Sequence, residues 1–153
     1  MRNRKATLVV IEFGASWPRW LDPTHGGDMA VVAQHYEGEP SSLIAQVANR
    51  VTRLEAQSWQ LNAIVLVSNG RCDGGFAAAR SILARGLLAR LRGVAGAHFA
   101  LTVEERHGRR ARHNLTHLAE SLDEDANVAG VTLSTFAGDQ TPLGSIGASA
   151  LAS

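Results

Sequence analysis

The chain has 153 residues, 15 basic against 14 acidic side chains, 45% apolar residues and 19% charged ones. That balance excludes a disordered or fibrous chain, and the single cysteine, Cys72, excludes a disulfide scaffold and a cysteine-built zinc site. No apolar run approaches the roughly 20 residues that a membrane-spanning helix needs, so the expectation is a cytoplasmic protein without membrane contact.

In chain order, Ala6–Phe13 and Met29–Tyr36 read as two strands, since both are rich in β-branched residues. The stretch between them, Gly14–Asp28, holds two prolines and three glycines, which argues against a crossover helix and predicts antiparallel pairing of the two. Ser41–Trp59 reads as a helix behind a Pro-Ser-Ser start, with Leu43, Val47, Val51 and Leu54 on one face. Asn62–Ser68 is a near-continuous apolar run, the mark of a strand buried on both faces. A second helix follows, capped by Asp73, with Phe76, Leu83, Leu87 and Leu91 in one stripe. Ala97–Val103 reads as a fourth strand, about Arg112 to Glu124 as a third helix, and Val128–Phe136 as a fifth strand. The third helix turns Leu115, Leu118, Ala119 and Leu122 inward.

The predicted fold is therefore α/β, a mixed five-stranded sheet in the order β-β-α-β-α-β-α-β. Its first two strands are antiparallel and the later ones mostly parallel, with flanking helices. Residues 1–137 make one domain, and 138–153 form a tail rich in Ala, Gly and Ser.

The charge is unevenly spread. Residues 71–112 carry nine arginines against three acids, a net of +6, whereas 113–153 carry five acids and no Lys or Arg. Such asymmetry suits an acidic partner for the middle segment, or subunits of a homo-oligomer meeting through opposite charges. It also leaves nucleic acid open as a partner.

Two segments are candidates for ligand binding. The loop Asn69-Gly70-Arg71-Cys72-Asp73-Gly74-Gly75 lies between a buried strand and a helix, where backbone N–H groups and a helix N-terminus can receive a phosphate. It is neither a Walker A loop nor a dinucleotide fingerprint. Arg106, Arg109 and Arg110 follow the fourth strand and precede the third helix. Cations at a helix N-terminus each cost about 0.3–1 kcal/mol when exposed, and a bound anion would offset that cost. If strands three and four are parallel, both segments emerge on one sheet edge.

Other residues are weaker candidates. Cys72 beside Arg71 has the setting of a reactive thiol, countered by Asp73. His113 and His117 have the i, i+4 spacing of metal ligands, but the inward leucines put that row on the solvated face. Trp17 and Trp20 flank Arg19 in the first loop, a pattern that serves either stacking on a ring or pinning the loop to the sheet. No residue set demands a cofactor, a metal or a catalytic role.

The element order resembles that of STAS-type regulatory domains, which also open with paired strands. Their phosphorylatable Asp-Ser motif is matched in position by Cys72-Asp73-Gly74-Gly75, without the serine. The resemblance implies a fold-level likeness and no activity. The expectation is a regulatory or binding module that holds a phosphate-bearing small molecule or acts through an oligomer or partner surface. The alternatives are a metal-dependent phosphoesterase or nuclease-like enzyme drawing on Glu12 and Asp73, and an RNA-binding accessory protein.

Overall fold

The computed structural model describes residues 4–17, 29–36, 38–91, 94, 98–104, 108–123 and 131–136. They form β1 (Arg4–Glu12), β2 (Met29–Tyr36), α1 (Pro40–Ala56), β3 (Trp59–Ser68), α2 (Phe76–Leu91), β4 (His98–Glu104), α3 (Gly108–Asp123) and β5 (Val131–Phe136). The chain adopts the α/β class, with five strands and three helices among the described residues in the expected order. The tail 138–153, Trp20 and Arg106 lie outside the described residues.

The strands form one sheet in the order β2-β1-β3-β4-β5, and all four neighbouring pairs are parallel. The antiparallel pairing expected of the first two strands is therefore corrected: Lys5 lies opposite Met29 and Glu12 opposite Tyr36, so both strands run the same way. A parallel pair needs a connection of about a dozen residues or more, usually but not necessarily helical. Residues 13–28 supply that length. Prolines in the connection argue against a long helix; they do not argue against a crossover.

Strand alternation sorts the core into two layers. Leu8 and Val10 of β1, Leu66 of β3 and Leu101 of β4 point to one face, where they pack with Leu43, Val47 and Val51 of α1, Leu83 and Leu87 of α2, and Leu118 and Leu122 of α3. All three helices thus cover the same side. Val9 and Ile11 point to the opposite face, with Val65, Val67, Ala100, Ala15 and Trp17. Burial on both faces is why the central strands read as continuous apolar runs.

Chain handedness explains this division. From β2 onward each crossover steps across the sheet in one direction, and a right-handed crossover then keeps every helix on one face. The step from β1 to β2 goes the other way. The described start of that connection lies on the opposite face, where Ala15 and Trp17 pack with Val9 and Ile11.

Element ends shift by local chemistry. The first helix stops at Ala56, three residues short of the expected end. Ser58 takes a left-handed backbone (φ 66°) and Trp59 opens β3. The third helix begins earlier than expected, at Gly108, which draws Arg109, Arg110 and Arg112 into its first turns. Among the described residues no helix is long and apolar enough to cross a membrane.

Candidate functional site

Strand order reverses between β1 and β3, and in open α/β sheets that point, at the carboxyl ends of the strands, is where ligands bind. Glu12 ends β1 in the register that faces the helices. Opposite it, in the second turn of α2, stands Arg80. Both are buried, at 2% and 1% exposure. Arg80 Nε donates to Glu12 Oε1 at 2.6 Å and its Nη2 to Oε2 at 2.9 Å, a bidentate pair. The same guanidinium reaches the Arg71 carbonyl at 2.9 Å and Asn114 Oδ1 of α3 at 3.1 Å. One side chain therefore ties β1, α2, α3 and the loop after β3 together.

That loop is fastened residue by residue. The Asn69 amide donates to Glu12 Oε2, and Asn69 Nδ2 donates to the Phe13 carbonyl. Asn69 Oδ1 accepts from the Arg71 amide, and Ser68 Oγ accepts from the Gly70 amide. Asn69 is thus a buried loop-shaping residue, and Gly70 turns the chain at φ 79°.

Above this clamp lies an exposed rim. Arg71 pairs with Asp73 through Nε to Oδ1 at 3.3 Å and Nη2 to Oδ2 at 3.2 Å, and its guanidinium sits over the Phe76 ring. The Arg71 hydrogen bond holds the Asp73 carboxyl below its ordinary range, and Arg110 of α3 adds to that effect. Because β3 and β4 run parallel, the glycine loop and the start of α3 leave the same edge of the sheet. Gly74 and Gly75 both take positive φ, 58° and 86°, with open space where a Cβ of Gly75 would stand. Neither the first turn of α2 nor that of α3 contains an acid. Arg109, Arg110 and Arg112 are exposed there.

Of the residues singled out in the sequence, Arg71, Asp73, Gly74 and Gly75 share one loop, with Arg71 paired to Asp73, and Arg109 and Arg110 open α3 at the same end of the sheet. The Asp73 carboxylate is engaged by Arg71, and it is the Asp73 carbonyl that receives the Phe76 amide. Cys72 is half-buried, its Sγ 3.7 Å from the Gly70 carbonyl oxygen. His113 and His117 stand on the solvated face of α3, their Nε2 atoms 3.1 Å apart. Trp17 is pinned to the sheet face. Sequence reading passed over Arg80 and Asn114. The signal for Arg80 was present: it interrupts the apolar stripe of α2 four residues after Phe76 and three before Leu83. Compared with protein families, curated proteins and solved structures, the chain matches none.

Proposed function

We propose that the protein is a small cytoplasmic binding module that holds a phosphate-bearing ligand on the rim formed by Arg71, Gly74, Gly75, Arg109 and Arg110. The observation that carries this reading is the parallel run of β3 and β4, which brings the loop of Arg71 and the arginine-bearing start of α3 to the same end of the sheet. A phosphate there displaces Asp73 from Arg71, accepts from the glycine amides and offsets the misplaced charge at the start of α3. Binding is favoured over hydrolysis because both Glu12 oxygens are engaged by Arg80 and the Asn69 amide.

A thermal-shift titration with nucleotides and phosphates at low salt tests it. A ligand at a hundredfold its dissociation constant adds about 2.7 kcal/mol, or about 5–10 °C in midpoint for a domain of this size. The shift should shrink as salt screens the exposed arginines. Arg110→Ala should weaken binding about tenfold while leaving the free protein as stable or slightly more so. The reading fails if no phosphate moves the midpoint.

Self-association belongs to the same proposal. Between α1 and α2 runs an apolar groove lined by Ile44, Ala48, Gly86 and Leu87, beside Ile82 at 59% exposure. An isoleucine so exposed is unusual on a monomer surface when it adjoins further apolar area. Sedimentation should show a dimer that Ile82→Glu converts to monomer; a monomer at every concentration removes the idea.

A further inference from the structure

One face of α3 is turned away from the sheet. Leu115, Leu118 and Leu122 are buried beneath the helix, and Asn114 Oδ1 accepts from Arg80 at 3.1 Å, which fixes its rotation. His113 and His117 are left exposed on the outer face, four residues apart and therefore neighbours along it.

The two rings are held close. Their Nε2 atoms stand 3.1 Å apart, their centroids 4.6 Å apart, and their planes cross at 88°. Two nitrogens bound to one ion at about 2.0–2.1 Å lie about 2.9 Å apart at a right angle and about 3.4 Å apart at the tetrahedral angle. The spacing in this helix falls between those limits. A straight N–H···N bond of the same length would hold the centroids about 5.4 Å apart, so the rings are not aimed head-on at one another. Two rings converging on a single ion with this bite would show about 4.8 Å, close to what the pair has. The backbone that carries them is already anchored, so little ordering remains for an ion to impose.

We propose that His113 and His117 chelate a divalent transition-metal ion through both Nε2 atoms. Among the described residues no group of three or more His, Cys, Asp or Glu side chains is placed to hold a metal, so the ion has two protein ligands and water completes its shell. Exposure is no obstacle to such an ion. Imidazole suits copper, nickel and zinc, and copper(II) binds tightest of the series. Magnesium and calcium, which take oxygen ligands, are passed over. Arg109 lies four residues before the pair and Glu120 three after it on the same row, so their charges oppose each other across the site. The pair uses no residue of the phosphate rim, and the two sites stand or fall separately.

Untagged full-length protein, titrated with copper(II) or zinc(II) in a buffer that does not bind metals, tests the site by calorimetry. One ion per chain should bind, copper(II) more tightly than zinc(II), and the thermal midpoint should rise because only the folded helix presents the pair. Paramagnetic resonance of the copper(II) form should report two imidazole nitrogens. His113→Gln and His117→Gln keep a good helix former at an exposed position. Each should weaken copper(II) binding about tenfold or more, and the double variant should lose little beyond either single one, because a chelate is lost with its first ligand. Arg109→Ala should leave copper(II) binding unchanged or tighter while it weakens phosphate. The proposal is overturned if the double variant binds copper(II) as the parent does, if the two single losses add in the double variant as they would for independent ligands, or if the resonance reports fewer than two nitrogens.

Discussion

Arg80→Met is expected to lower the unfolding free energy by about 3–5 kcal/mol, because it strands the Glu12 carboxylate in the core without its cation. It also removes donors from the Arg71 carbonyl and from Asn114, loosening the loop that carries Gly70 to Gly75. The exposed pair Arg90–Glu55, at 2.7 Å, is the contrast. Removing it should cost no more than about 1 kcal/mol, since water already solvates both ends. The difference arises from desolvation, not distance. Adding Glu12→Gln to Arg80→Met should recover part of the loss, and a double-mutant cycle in urea measures the coupling. A cost below 1 kcal/mol for Arg80→Met would show that Glu12 finds another partner.

Trp17→Ala is expected to cost about 3–5 kcal/mol, the usual range for removing a buried aromatic. Trp17 is 2% exposed and packs against the sheet face opposite the three described helices, beside Val9, Ile11, Val65 and Val67. Losing the ring leaves a void over the central strands and frees the connection from β1 to β2. Denaturant unfolding should show a lower midpoint, and the blue-shifted part of the tryptophan emission should fall. If stability is unchanged, the connection does not contribute to that core layer.

Much of the architecture was legible because burial leaves a periodic trace. Leu43, Val47, Val51 and Leu54 are all buried, as their spacing predicts, and so are Leu115, Leu118 and Leu122. The apolar run of β3 announced a strand covered on both sides. Strand direction left no such trace. Parallel and antiparallel neighbours demand the same alternation, so the side-chain pattern of β1 and β2 fits either direction. The rim was legible in part, because Arg71, the glycines and Arg110 are adjacent to strand ends. The clamp beneath it was not, since Glu12 and Arg80 are 68 positions apart and each looks ordinary alone. Arg80 becomes informative only beside Phe76 and Leu83, as a charge in a row meant for the core.

The placement of β1 between β2 and β3 sets a constraint on how the chain acquires its structure in time. The strand made first is an interior strand, and its terminal carboxylate receives its cation only from residue 80, which in turn bonds residue 114. Folds dominated by such distant partners assemble slowly, because each closure costs chain entropy before the contact is made. A chain truncated ahead of α2 would hold an apolar strand ending in an uncompensated charge, and the register of β1 against β3 would lack its lock. Synthesis proceeds from β1 outward, whereas consolidation must wait for α2 and α3 to return over it.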